Sequence, residues 1–290
     1  MQQKTTSSNK VGRLFATLIM LVGYYLISMP YALDWYSRIG QTATISGYKS
    51  SIETLSETEI KDVKQRMVEY NQQIAQAHED EFYRYSSKQE FDSEYLALPV
   101  ADSNEICSIE IPKINVNVPV GHGTDDDMLQ TEIGHLYGTS LPIGGESTHA
   151  VVAGHSALRT AEMFTRLDEL EIGDIIYVNI LNEKHAYLVS DIVVVLPTEC
   201  DQYMQVVPGE DLITLYTCTP YGINTHRLLV TAMRTDDPII EESNESMQIT
   251  VDEVKPKIIF ATLVGLPIVI AIVANVVINK RERRIDRETN

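Results

Sequence analysis

A mainly β domain, closed as a barrel or folded as a sandwich, is what the middle of this 290-residue sequence predicts. Three observations carry that expectation. Short apolar runs with strand-like alternation recur from about residue 105 onward, most of them bounded by Gly or Pro clusters. Helical periodicity is confined to one stretch before those runs and one short interruption within them. Two uncharged apolar segments flank the whole, each about as long as the ~20 residues that span a bilayer.

The first flank is LFATLIMLVGYYLISMPYAL at residues 14–33, and the second is IIFATLVGLPIVIAIVANVVI within residues 257–279. The first exceeds the ~7–15 apolar residues usual in a signal peptide and shows no small-x-small cleavage site, so it reads as an anchor in preference to a cleaved signal. Lys4, Lys10 and Arg13 precede it; Lys280, Arg281, Arg283, Arg284 and Arg287 follow the second. Positive flanks stay cytoplasmic. The expected order is therefore a cytoplasmic segment 1–13, a transmembrane helix 14–33, an extracytoplasmic helical region 34–104 and the β domain 105–235. An acidic tether 236–256, a second transmembrane helix 257–279 and a basic cytoplasmic tail 280–290 follow.

Charge divides along the same lines. Residues 1–13 and 257–290 each carry +3, and the chain totals −18, so residues 14–256 carry −24. That acidic balance argues against nucleic acid as a partner, because its phosphates would be repelled. Three cysteines, Cys107, Cys200 and Cys218, cannot make a complete disulfide framework, so at least one is free or intermolecular. No C-x-x-C pair exists and the histidines are scattered, which argues against zinc.

In chain order, Ser56-Glu57-Thr58-Glu59 has the form of a capping box. Ile60, Val63, Met67, Tyr70 and Ile74 then lay one apolar stripe along a helix, packed on the domain or lifting it as a stalk. Residues 79–104 are charged and irregular. "SIEIPKINVNVPV" (108–120) alternates throughout and reads as a strand. Further strands are expected at 149–155, 174–180, 185–196, 211–217 and 227–233, and "ALRTAEMFTRLDEL" (157–170) reads as a short helical interruption. Of the histidines, His122 and His135 fall in turn-rich sequence and are expected to be solvated.

The chemistry centres on TLYTCTPYGINTHRLLV, residues 214–230. An ordinary thiol is only about 3% thiolate at neutral pH, and a cationic neighbour makes it useful. If the runs on either side of Thr219–Asn224 pair antiparallel, Cys218 and Arg227 meet at facing strand ends. Arg cannot serve as a base, but it can hold a carbonyl oxygen as negative charge develops. A general acid/base is still required, and histidine is the default. His155, closing V-V-A-G-H-S where a glycine lets the chain turn, ranks first; His226 is second, and His149 lies at the wrong end of its strand. Cys107 and Cys200 have no cation within a few residues and read as packing. Taken alone, a lone Cys near Arg and His is more often structural than catalytic.

The extended motif TCTPYGINTHR resembles the signature of sortases, and of their class C, pilin-polymerising branch in particular. GTSLPIGGESTHAVVAGHSALRTAEMFTRLDELEIGD (138–174) is similar to the same branch around its histidine. The resemblance spans about residues 108–234, and the paired membrane spans fit it. It implies a closed eight-stranded β-barrel in which the strands ending near His155 and at Cys218 are parallel neighbours. It implies Cys218 as nucleophile, His155 as general acid/base and Arg227 as substrate and oxyanion anchor. The implied reaction cleaves a Leu-Pro-x-Thr-Gly-like sorting signal between Thr and Gly through a thioester. A lysine amine on a second pilin, or a cell-wall precursor amine, then resolves it. No cofactor, metal or ATP is needed.

One departure matters. Class C members carry an Asp-Pro-aromatic lid before the barrel, and here the only Asp-Pro is Asp237-Pro238, after it. Asp92 and Tyr95, in Asp92-Ser93-Glu94-Tyr95, are the upstream candidates for a diverged lid. LPTE (196–199) imitates a sorting signal but reads as a coincidence within a strand run. Two alternatives stand beside pilin polymerisation: a sortase anchoring surface proteins to peptidoglycan, and a catalytically idle membrane-anchored β domain acting in binding or assembly.

Overall fold

An apolar stripe on a helix needs a surface to bury it, and the helix after Ser56 finds that surface on a β-barrel. The computed structural model describes residues 4–80, 93–99, 104–156, 158 and 161–236. Two compact units divide within the first helix, one ending at Trp35 and the other beginning at Tyr36, and each is described by itself. That helix, α1, runs Lys4–Glu53. In the first unit it exposes Phe15, Leu18, Ile19, Met20, Leu26 and Ile27. Among the described residues it is the one helix long and apolar enough to cross a membrane. The second expected span lies outside the described residues, as does all but the first residue of the expected tether.

In the second unit, helix α2 (Glu57–Asp80) starts at the expected capping box. The Glu59 N–H donates to Ser56 Oγ at 3.3 Å and the Ser56 N–H to Glu59 Oε2 at 2.8 Å. Val63, Met67, Tyr70 and Ile74 are buried in one cluster with Ile109, Val152 and Ile213 of the barrel. Asn71 adds a buried polar clamp: its Nδ2 donates to the Leu141 carbonyl at 3.0 Å, and the Leu141 N–H donates to its Oδ1 at 2.7 Å. The helix is packed on the domain and is not a stalk. A single turn, α3 (Ser93–Leu96), precedes the barrel.

Eight strands follow: β1 (Glu105–Ile111), β2 (Val116–His122), β3 (Ile133–His135), β4 (Thr148–Ala153), β5 (Ile175–Ile180), β6 (Glu183–Val195), β7 (Asp211–Thr219) and β8 (His226–Thr235). They close in the order β1-β2-β3-β4-β7-β8-β6-β5. Closure leaves no free sheet edge. Two neighbouring pairs are parallel, β2 with β3 and β4 with β7.

Sequence expectation and structure differ in three places. The alternating run 108–120 is two antiparallel strands, with Ile111 opposite Val116. Pro112 opens a 3-10 turn between them, and Asn115 closes it in the left-handed region at φ 53°. Alternation survived the turn, so periodicity alone could not reveal it. β3 was not anticipated; its three residues carry no periodic signal and pair only through their neighbours. The 157–170 segment, where described, is turns and one 3-10 helix at Leu167–Glu169, with Met163 at φ 36°, and not an α-helix.

Candidate active site

Side-chain alternation sends Leu215 and Ile213 of β7 into the main core, and with them Leu228 and Val230 of β8. The alternate set, Tyr216 and Cys218 on β7 and Arg227 and Leu229 on β8, faces the other way. Register then fixes the first relationship. Cys218 and Arg227 are direct partners in the antiparallel β7–β8 ladder, and such side chains stand about 4.5–5.5 Å apart at Cβ. The structure also pairs Thr219 with His226, which puts His226 on the face opposite Arg227.

His155 arrives from the parallel neighbour. β4 and β7 run in register from Thr148 opposite Asp211 to Ala153 opposite Tyr216. Two further bonds extend that register past the end of β4. The Gly154 N–H donates to the Tyr216 carbonyl at 3.0 Å, and the Thr217 hydroxyl donates to the Gly154 carbonyl at 2.7 Å. The next residue on each strand is His155 and Cys218. Gly154 is there for close approach: a Cβ would sit 2.7 Å from both Ile133 Cγ2 and Phe164 Cδ2. Its role is packing, where the sequence suggested a turn. The His155 carbonyl accepts the Phe164 N–H at 3.2 Å, which holds the backbone of the histidine from the other side. Its Nε2 is buried and has no hydrogen-bond partner among the described residues.

Arg227 is held from two sides. Its Nε donates to the Tyr216 hydroxyl at 2.8 Å. Its Nη1 donates to the Asn224 and His226 carbonyls, both at 3.1 Å. Asn224 sits in the left-handed region at φ 61°, in the turn after Cys218. Partial burial works against the guanidinium charge. Tyr216 and Cys218 beside it more than offset that effect and keep its pKa above the ordinary arginine value. Burial pushes the Tyr216 hydroxyl up to about 12 against the pull of Arg227, so it stays a neutral phenol at physiological pH.

A second, smaller apolar cluster supports this face: Val151, Val195, Cys200, Met204 and Leu229, with Tyr216 packed against it. Cys200 comes from the 3-10 helix Pro197–Tyr203, which takes up most of the LPTE stretch and ends the strand there. Burial raises its pKa, while Arg227 and Tyr216 pull the other way. Cys200 has no cationic neighbour within a few residues in the chain; the fold supplies one, Arg227 from β8. Cys107 is buried in the main core, which pushes its thiol well above the ordinary range. All three cysteines are free.

Two histidines overturn their sequence reading. His122 and His135 are buried, at 5% and 0% exposure, and are not solvated. Tyr95 holds them. Its hydroxyl meets His135 Nδ1 at 3.0 Å, and its ring packs edge-on against His122 and Tyr137 at centroid distances of 4.8 and 5.0 Å. The structure therefore places Tyr95, itself wholly buried, as an anchor for the segment before the barrel, beside β2 and β3. His135 is opposite Val152, three residues before His155 on β4. Asp92 lies outside the described residues. His149 is buried lower on β4, with its ring nitrogens 2.7 Å from the Gln205 carbonyl and the Thr214 hydroxyl.

Fold and site together have the make-up of a cysteine-nucleophile enzyme built on a closed β-barrel. A family model described as the sortase domain matches residues 109–235. Among solved structures, sortase C1 of GBS Pilus Island 1 is 38% identical with a TM-score of 0.63, covering 68% of this chain and 98% of that one. Sortase C of Streptococcus pneumoniae is 34% identical with a TM-score of 0.60, over 67% and 96%. Sortase C-1 from Actinomyces oris is 41% identical with a TM-score of 0.55, over 61% and 99%. Sortase D of Bacillus subtilis (strain 168) is 39% identical over 66 residues, which span 23% of this chain and 30% of that protein. The chain belongs to the sortase family, the cysteine transpeptidases, and these structural neighbours are of the class C kind.

Proposed function

We propose that this chain is a membrane-anchored sortase that polymerises pilins. Cys218 is the nucleophile, His155 the general acid/base and Arg227 the anchor for the substrate carbonyl. One observation carries the reading: Cys218 is the cross-strand partner of Arg227, while Gly154 is locked to Tyr216 and Thr217 so that His155 follows alongside. The site residues are thus supplied by β7, by β8 and by the segment just past the end of β4, with register held by hydrogen bonds to the backbone, which suits a reaction that needs closely held geometry.

In the first step the Cys218 thiol passes its proton to His155, and the Sγ thiolate attacks the threonine carbonyl of a Leu-Pro-x-Thr-Gly-like sorting signal. The oxygen becomes negative and is stabilised by Arg227. The Thr–Gly bond breaks, His155 gives its proton to the leaving glycine amine, and a thioester remains. In the second step a lysine amine attacks that thioester, His155 takes the amine proton, and the Cys218 thiolate leaves. The bond energy of the peptide is held in the thioester, so no other energy source enters. The relatives' descriptions, a pilus island for one and pilin substrate specificity for another, support a pilin as donor and acceptor. The exposed apolar part of α1 supports anchoring. Two spans with both termini cytoplasmic and the barrel outside is the topology that the basic flanks favour.

The test uses the full-length protein in detergent with a sorting-signal peptide. Wild type should form an acyl-enzyme visible by intact mass and pass it to an added amine. Cys218→Ala should form none while its melting temperature stays unchanged. Undiminished acyl transfer by that variant removes Cys218 from the reaction.

A further inference from the structure

The position two residues before the nucleophile, Tyr216, is packed against an apolar cluster and also bonded to Arg227. Its ring is half-buried and packs against the cluster of Val151, Val195, Cys200, Met204 and Leu229. Packing alone would be served by phenylalanine. The hydroxyl does something else: it accepts the Arg227 Nε–H at 2.8 Å.

The donors of Arg227 show what that bond accomplishes. A guanidinium has five N–H donors in a fixed plane. Nε is taken by Tyr216 and Nη1 by the Asn224 and His226 carbonyls. Among the described residues, Nη2 meets no acceptor, so its two N–H groups are the ones left for a substrate. A planar fork held along its Nε–Nη1 edges has little freedom to rotate. Held by the two carbonyls alone, it could swing about Nη1. We propose that Tyr216 is a positioning residue for the transpeptidation: it fixes Arg227 through Nε and so aims the Nη2 edge at the carbonyl oxygen attacked by Cys218. The inference rests on the proposed transpeptidase reading and adds a residue to it. Tyr216 does not touch the substrate; it acts only through Arg227.

Two features make the arrangement fit. The phenol is neutral at working pH, so it holds the cation without neutralising it. The ring sits on β7 and packs against the cluster that includes Cys200 of the 3-10 helix, so the hydroxyl is placed by a strand and its packing. The second point matters because a site is held best when its supporting side chains are locked by packing.

The experiment is a double-mutant cycle on the full-length protein in detergent, read as steady-state and single-turnover cleavage of a sorting-signal peptide. Tyr216→Phe keeps the ring and removes only the hydroxyl. It should lower kcat by about tenfold, the scale of one charge-assisted hydrogen bond, with KM within twofold. In the Arg227→Lys background the same change should cost less than twofold, because lysine has no Nε–H for the phenol to hold. Equal factors in the two backgrounds, or a Tyr216→Phe variant as fast as wild type, overturns the proposal. Failure of wild type itself to cleave the peptide overturns the transpeptidase reading instead, so the two are told apart.

Discussion

Cys218 and Arg227 form one cross-strand pair at the end of the β7–β8 hairpin, and the arginine of that pair is fixed at Nε and Nη1 by Tyr216, Asn224 and His226. A cation beside a thiol could act by charge alone or by geometry. The bonding pattern favours geometry, because charge alone would not require three partners. Lysine would keep the charge and lose the planar fork.

Arg227→Lys should therefore lower kcat/KM for a sorting-signal peptide by at least tenfold, the cost of one charge-assisted bond to the developing oxyanion. The melting temperature should stay near that of wild type, since the side chain is only partly buried. Steady-state cleavage of a quenched fluorescent peptide measures it. A lysine variant as active as wild type would show that position 227 supplies charge and nothing more.

The approach of His155 depends on Gly154 having no side chain. A methyl group there would lie 2.7 Å from Ile133 Cγ2 and Phe164 Cδ2, and both neighbours are fully buried. Overpacking of that kind typically costs about 1–3 kcal/mol. Gly154→Ala should lose that much stability in urea unfolding. It should also lose activity beyond what the unfolded fraction explains, because any shift at residue 154 is passed directly to His155. Stability and turnover both equal to wild type would mean that Ile133 and Phe164 move aside without cost.

How much of this was legible in the sequence follows from how local each contact is. Cys218 and Arg227 are joined by a short turn, so pairing the flanking runs was enough to bring them together. His155 is set alongside Cys218 through the parallel pairing of β4 with β7, which has two strands between them in sequence, and only the family resemblance supplied that pairing. The role of Tyr216 could have been found by parity: it shares the Cys218 face and lies two residues away. Cys200 could not, since the arginine that faces it is brought by a separate strand. His122 and His135 looked solvated because their sequence is turn-rich. In the fold both pack against Tyr95, a residue far upstream whose position no local pattern specifies.

His135 offers a pH signature. It is fully buried, its Nδ1 meets the Tyr95 hydroxyl and its Nε2 is 2.9 Å from the Ser140 carbonyl. A carbonyl can only accept, so the ring fits as the neutral tautomer with its proton on Nε2, and Nδ1 accepts from tyrosine. Burial holds its pKa down, to about 4 from the ordinary 6.5, and the neighbouring His122 pushes the same way. With the folded value depressed below the unfolded one, the unfolded chain binds the extra proton first as pH falls. Stability from this residue is therefore complete above about pH 6.5 and is lost between there and pH 4, by about 3 kcal/mol. Glu132 has the opposite sign: burial raises its pKa to about 7, with Glu105 adding to the effect, so it favours the folded state at low pH and disfavours it as pH rises. The two partly cancel in the wild-type profile, which is why a difference is the right measurement. His135→Gln keeps an amide N–H for the Ser140 carbonyl and cannot protonate. The stability gap between wild type and this variant, taken from urea unfolding, should shrink by about 3 kcal/mol from pH 7.5 to pH 4. A gap that stays constant across that range would assign the acid sensitivity of the domain to some group other than His135.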